Sequence, residues 1–340
     1  MTIEQLEQEL KENKLNSIYV LYGEEKFLLE TVLKKIKKNF GEISNGINYI
    51  QIDETNIEQG LSELQTPAFG YEKKLVIFRN SGILKKEEKK KNSNLAQIKE
   101  KINKFLADNK QYVQDELVII FIEETVDKAE LLKTIEDLGG IVCNFELQKS
   151  AQIEKRLKSI CNAYKVNIDI QTLKYFIEKC GQNMQLLINE IRKAIEYVGE
   201  NGTIDKETID LLAIKTIDST IFDLTDNIGK KKISKAMQIL QDLLYSKEPI
   251  QKILITLYNH FKKIYIVILA EKEGQNLLEV LNLKPNQTFL ITKYKAQSKY
   301  FTESDLRKLI EELIELDYKY KTGNIDINIG LEAILCRYCG

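Results

Sequence analysis

The chain has one histidine, no tryptophan, three prolines and five cysteines in 340 residues, and each scarcity excludes something. With His260 alone, a multi-histidine zinc or iron site is impossible, and histidine-dependent catalysis would rest on one side chain without an orienting partner. His260 lies in the apolar helical stretch LYNHFKKIY, so a local hydrogen bond within a helix is the expectation for it. The cysteines, Cys143, Cys161, Cys180, Cys336 and Cys339, are odd in number and scattered, which reads as free thiols in a reducing compartment. Cys336 and Cys339 form a CxxC with no second ligand pair, and their spacing is that of one helical face. Charge of one sign is also missing: 50 basic residues face 51 acidic ones, so the chain lacks the basic excess of an autonomous nucleic-acid binder. Long apolar runs are absent; Leu117 to Ile122 and Ile264 to Ala270 fall short of the roughly 18 residues that cross a bilayer, so no transmembrane helix is expected. The N-terminus, MTIEQLEQEL, carries acids where a secretory signal carries bases, which points to the cytoplasm and away from any membrane.

What is present is 43% hydrophobic and 30% charged, the profile of a globular protein of two or three domains. Residues 1–147 alternate strand and helix patterns. SIYVLYG (17–23), INYIQID (47–53), KLVIFRN (74–80), ELVIIFIE (116–123) and GIVCNFEL (140–147) are short apolar runs rich in β-branched and aromatic residues. Between them lie helical stripes such as Phe27, Leu28, Val32, Ile36, Phe40; Ile57, Leu61, Leu64; and Ala129, Leu132, Ile135, Leu138. Continuously apolar strands separated by helices predict an α/β domain with a parallel sheet covered on both faces. From 148 every window reads as amphipathic helix, giving a small all-helical domain over 148–216, in which Asp205 caps a restarting helix. Beyond a boundary near Ile217 come helices at about 231–245, 250–272, 286–299, 303–320 and 325–338, an all-helical C-terminal domain over 217–340, its helices divided by Ser246 to Pro249, Gly274, Pro285 and Gly323.

The first strand ends in glycine, where a phosphate loop would follow. The sequence there is Tyr22-Gly23-Glu24-Glu25-Lys26-Phe27, one glycine followed by two carboxylates, in place of GxxxxGK[ST]. Glu123 and Glu124, after the strand ELVIIFI, stand where a magnesium-binding or water-activating acid sits, but with no loop to serve. There is no GxSxG, HExxH, DxDxG or GxGxxG constellation, so no catalytic residue, cofactor site or metal site is assigned. The lysine-dense segment Lys85 to Lys104 is open to two readings, a phosphate-facing patch or, with Glu87, Glu88 and Glu100 interleaved, a solvated helix and loop. The residues describe an interaction protein on an enzyme-like fold.

An ordered set of segments resembles the delta subunit of bacterial DNA polymerase III, the clamp-opening subunit of the sliding-clamp loader. It comprises IYVLYGEEKFLLE (18–30), TPAFGYEKKLVIFRN (66–80), SAQIEKRLKSICNAYKVNID (150–169), GQNMQLLINEIRKAIEYVGENGTID (181–205), STIFDLTDNI (219–228), AMQILQDLLYSKEPIQKILITLYNHFKKIY (236–265) and LDYKYKTGNID (316–326). The resemblance implies an AAA+-like α/β domain without a working Walker loop, a helical lid, and a helical collar. It implies the collar's assembly with the other loader subunits, gamma/tau and delta-prime, and primer-template DNA held within the assembled loader. It also implies a non-catalytic part in a DNA-directed DNA polymerase holoenzyme, a nucleotidyltransferase complex.

Resemblance and residues meet at Leu64-Gln65-Thr66-Pro67-Ala68-Phe69-Gly70. Pro67 disfavours the helical conformation at Thr66, so a helix over 57–65 ends there and the chain presents Ala68 and Phe69. From the residues alone, Phe69 serves equally well as an interface anchor or as an apolar side chain tucked beneath strand 74–80. The resemblance favours the first, mapping a clamp-contacting hydrophobic pair onto Ala68 and Phe69, with Leu64, Gln65 and Pro67 flanking. The family often carries a larger aliphatic residue at the position of Ala68, which shifts the contact toward Phe69. The resemblance leaves Asp317, Tyr318, Lys319 and Lys321 without a role, and Ile221, Phe222 and Leu224 read as core. A degenerate AAA+ ATPase, and a helical scaffold or RNA-binding protein on an inactive nucleotide fold, are the alternatives.

Overall fold

The computed structural model describes residues 1–85, 93–127, 130–246, 248–284 and 287–339. Of the sequence expectations, most of the lysine-dense run, Glu87 and Glu88, the helix start at Ala129, the divider Pro285 and the side chain of Cys339 lie outside these described residues. The chain divides into two compact units, Met1–Leu147 and Gln148–Gly340.

In the first unit the order is α1 (Ile3–Lys11), β1 (Ile18–Tyr22), α2 (Lys26–Phe40), β2 (Tyr49–Ile52), a 3-10 turn (Ile57–Gln59), α3 (Gly60–Gln65), β3 (Lys74–Arg79), α4 (Ser93–Asp108), α5 (Lys110–Glu116), β4 (Leu117–Glu123), α6 (Glu130–Asp137) and β5 (Ile141–Asn144). The five strands form one parallel sheet in the order β2-β3-β4-β1-β5, as the apolar runs require. Every residue of β4 is buried, since a central strand covered on both faces has no solvated side. One face packs Val76, Phe78, Ile119 and Phe121 against Leu64, Ile98, Ile102, Leu106 and Ile135, with the Phe78 and Phe121 rings stacked at 5.0 Å. The sequence reading assigns neither α1 nor α5; α1 buries the stripe Ile3, Leu6 and Leu10 and starts at a capping box between Thr2 and Gln5.

The second unit runs α7 (Ser150–Ala163), β6 (Asn167–Ile168), α8 (Ile170–Cys180), α9 (Met184–Val198), β7 (Thr203–Ile204), α10 (Lys206–Leu212), α11 (Ile217–Gly229), α12 (Ile233–Tyr245), α13 (Ile250–Glu273), α14 (Leu277–Val280), α15 (Phe289–Ser298), α16 (Glu303–Lys321) and α17 (Ile327–Cys339). It holds both segments that the sequence reading separates near Ile217. Residues 148–216 are not wholly helical: β6 and β7 form a parallel two-strand ladder, Asn167 opposite Thr203 and Ile168 opposite Ile204. Two-residue strands are too short to register as a period, which is why the pattern concealed them. Asp205 caps α10 as expected, accepting from the Thr208 N–H.

No uninterrupted apolar run is long, yet α13 as a whole is long and apolar enough to span a bilayer. Its lysines only punctuate the apolar run. Within the unit, Ile253, Leu257, Phe261, Ile264 and Val267 of α13 lie in the core formed with α11, α12, α16 and α17, so the hydropathy is that of a central bundle helix.

Candidate protein-binding site

The segment between α3 and β3 is built around a forced helix end. Gly60 lets α3 lie directly on the sheet: a β-carbon there would come within 2.7 Å of the Phe78 ring. The helix stops at Gln65, and Thr66 turns to extended backbone (φ −90°, ψ 122°), as a residue before proline must. A tight turn follows over Ala68–Tyr71, closed by the Tyr71 N–H donating to the Ala68 carbonyl at 3.3 Å. Gly70 has φ +80°, the left-handed value that the third position of a type II turn demands. Phe69 occupies the second, outermost position.

Phe69 is 91% exposed, the most exposed large hydrophobic side chain among the described residues, so it does not tuck beneath its strand. Gln65 and Pro67 are exposed and Ala68 half-exposed beside it. Leu64 departs from the expectation: it is fully buried against the sheet and presents nothing outward. Its part is to seat α3, consistent with its place in the inward stripe of Ile57, Leu61 and Leu64.

Sequence reasoning passed over Lys74, the first residue of β3. Its side chain is 2% exposed, and its ammonium donates to the Glu63 carbonyl (2.8 Å), a Glu63 carboxylate oxygen (2.8 Å) and the Thr66 carbonyl (3.1 Å). A lysine opening a strand ordinarily reads as a solvated side chain. The available signal was a helix end with no glycine cap and a proline after it, leaving carbonyls in need of a donor.

At the carboxyl end of the sheet, where open parallel sheets bind ligands, the Gly23 turn is closed by internal bonds. The Gly23 N–H donates to the Glu123 carbonyl (3.4 Å), the Glu25 N–H to the Phe145 carbonyl (2.8 Å), and Lys26 pairs with Glu124 (3.0 Å). Glu123 is buried and accepts from the Ser81 hydroxyl and the Gly82 N–H, each at 2.9 Å. Burial raises its pKa above the ordinary carboxylate value, against the lowering effect of those two bonds. The amides of Gly23 and Glu25 and the exposed ammonium of Lys26 thus have partners within the protein.

His260 is buried and bonded to Gln297 Oε1 at 2.7 Å, a contact between α13 and α15 rather than a local one. The Gln297 amide donates in turn to the Phe222 carbonyl (2.8 Å) and to Asp226 (2.7 Å) on α11. The Phe222 ring meets the imidazole edge-on at 4.4 Å while Ile221 and Leu224 are fully buried, so this trio joins the helical core. Burial lowers the His260 pKa from 6.5 to about 4. Cys143, Cys161 and Cys180 are buried free thiols, and Cys336 lies 3.7 Å from the Met237 sulfur. Asp317 pairs with Lys321 at 2.6 Å and Lys319 with Glu315 at 2.8 Å, one turn apart on α16. No cluster of three or more histidine, cysteine or acidic side chains is placed to hold a metal among the described residues.

Comparison with known proteins bears on the whole arrangement. A family model described as "DNA polymerase III, delta subunit" matches residues 19–145, and one described as "DNA polymerase III delta subunit, C-terminal domain" matches residues 218–338. DNA polymerase III subunit delta of Bacillus subtilis is 23% identical over 335 residues, covering 96% of this chain and 94% of its own. The probable DNA polymerase III subunit delta of Aquifex aeolicus is 28% identical over 309 residues, covering 88% and 85%. The solved structure of the Bacillus subtilis DNA clamp loader delta protein superposes with a TM-score of 0.75 at 21% identity, covering 99% of each chain, so the fold is shared from end to end. A parallel-sheet domain followed by helices, matched at both ends by delta-subunit models, places the chain in the family of DNA polymerase III delta subunits of the bacterial clamp loader.

Proposed function

We propose that this chain binds the ring-shaped sliding clamp through the turn at Pro67, Ala68 and Phe69, with Gln65 at its edge, and holds one ring interface open for loading onto primed DNA. The observation that carries this reading is a large aromatic ring, 91% exposed, at the apex of a short turn mounted on a rigid sheet. Aromatic side chains that fill a partner's pocket are common interface anchors, and the turn offers this one almost free of contacts with its own fold. The chain's own part is mechanical. Within it, 148–216 serves as the lid and 217–340 as the collar that joins gamma/tau and delta-prime around primer-template DNA, in the bacterial cytoplasm. Titration of the purified chain, without nucleotide, into the sliding clamp of the same organism tests this; saturable binding is expected, and no binding removes the reading.

Two further outcomes are expected here. Gly70→Ala forces a side chain into a left-handed backbone at a cost of about 1–2 kcal/mol, so clamp binding weakens by roughly tenfold with unchanged circular dichroism. Magnesium ATP is expected to leave the melting temperature unchanged, because the turn has one glycine and two carboxylates where a phosphate loop has glycines, and its Gly23 and Glu25 amides already have acceptors. A rise of several degrees would favour the degenerate-ATPase reading, since a ligand bound only by the native state stabilises it.

A further inference from the structure

We infer that Lys74 is the positioning residue of the clamp-contacting turn, an inference that rests on the clamp reading above. Lysine is almost never fully buried unless partnered, and here the partners are specific. The ammonium reaches two backbone carbonyls, one in the last turn of α3 and one on the residue before Pro67, together with the Glu63 carboxylate. Those carbonyls have no N–H to meet them: Pro67 has none, and the extended backbone at Thr66 carries the following amides away from the helix.

The connectivity gives the bond its consequence. The segment from Thr66 to Lys73 begins at a carbonyl held by the Lys74 side chain and ends at the Lys74 backbone. That backbone is fixed in the sheet, opposite Leu117 of β4, and the next residue, Leu75, donates to the Asn48 carbonyl at 2.7 Å. One residue therefore closes both ends of the loop, covalently at one and through its ammonium at the other. Lys73 adds an outer tether by donating to the Gln114 carbonyl at 3.0 Å. A turn so closed holds Phe69 in one direction before any partner arrives, and pre-organisation lowers the ordering cost of binding.

The test measures clamp affinity by titration for the native chain, Lys74→Met and Glu63→Gln, each also in a Phe69→Ala background, with circular dichroism alongside. Hydrogen–deuterium exchange over 66–73 is followed in the free proteins. Methionine keeps the length and the apolar stem but donates nothing. Lys74→Met should bind about tenfold more weakly, and that loss should vanish when Phe69 is already alanine, because the lysine acts through the ring. Exchange across the turn should quicken in the free variant, a readout independent of the clamp. If Lys74→Met fails to fold, Glu63→Gln, which keeps both carbonyl bonds, carries the same measurements with about a threefold loss and the same coupling to Phe69. Unaltered exchange in a folded variant, or an equal loss in both backgrounds, overturns the positioning role. Failure of the native chain itself to bind overturns the clamp reading instead, while the exchange result still decides whether Lys74 orders the turn.

Discussion

Truncating Phe69 to alanine is expected to weaken binding to the sliding clamp by about thirtyfold or more while leaving the melting temperature in place. Both halves follow from one observation. A ring that is 91% exposed makes almost no packing contact in the free chain, so its removal leaves no cavity, and surface substitutions of this kind stay within about 0.5 kcal/mol. In the complex the same ring would fill an apolar pocket, where truncation of an aromatic anchor typically costs about 2–4 kcal/mol, each 1.4 kcal/mol being roughly tenfold in affinity. Calorimetric titration of native and variant chains into the clamp, with folding checked by circular dichroism, measures the difference. Equal affinities would move the anchor to another surface of a delta subunit. A large drop in melting temperature would mean that the ring supports its own fold.

The second large effect is a loss of stability in acid traceable to His260. Its pKa is lowered from 6.5 to about 4, chiefly by burial, with the nearby Lys263 charge acting in the same direction and the Gln297 bond and Asp226 opposing. The unfolded chain therefore takes up a proton near pH 6.5 that the folded chain refuses until about pH 4. This contribution to stability is fully present above pH 6.5, declines as pH falls, and is exhausted near pH 4. Linkage puts the loss at about 2 kcal/mol by pH 5 and about 3 kcal/mol by pH 4. Carboxylates titrate in the same range, so the comparison is with His260→Gln, which retains a polar group toward Gln297 but does not ionise. Denaturant unfolding at pH 7, 5 and 4 should show the variant losing less stability than the native chain by those amounts. Parallel pH profiles would mean that the imidazole is solvated in solution.

The sheet was readable in the sequence because strands such as LVIIFIE have no polar side to hide, and unbroken apolarity over so short a run marks a strand buried on both faces. The bundle helices were readable because punctuators bracket long amphipathic patterns; Gly274, for instance, ends α13 in a left-handed conformation. The ladder of β6 and β7 escaped because its stability comes from neighbours rather than from a pattern of its own. At the candidate site Pro67 announced the helix end, while the turn closed at Gly70 was not read from the sequence. The exposure of Phe69 was left open, since nothing in an aromatic residue's neighbours tells which way it faces. Leu64 was assigned to the contact although the stripe Ile57, Leu61, Leu64 already claimed it for the core. Lys74 was invisible for a physical reason: burial of its ammonium depends on carbonyls that converge only once α3 and β3 are packed together.

The strand order also sets a timetable. β1 is the first strand to leave the ribosome, yet its neighbours are β4 and β5, and Ile18 waits for Ile119 and Tyr19 for Ile141 before either is paired. The pairings β2 with β3 and β3 with β4 close shorter loops and have the smaller entropic cost. An emerging chain therefore carries the apolar strand Ile18–Tyr22 unpaired throughout synthesis of most of its domain. During that interval α1 and α2, made on either side of it and each with one apolar face, are the elements nearest in sequence to cover it.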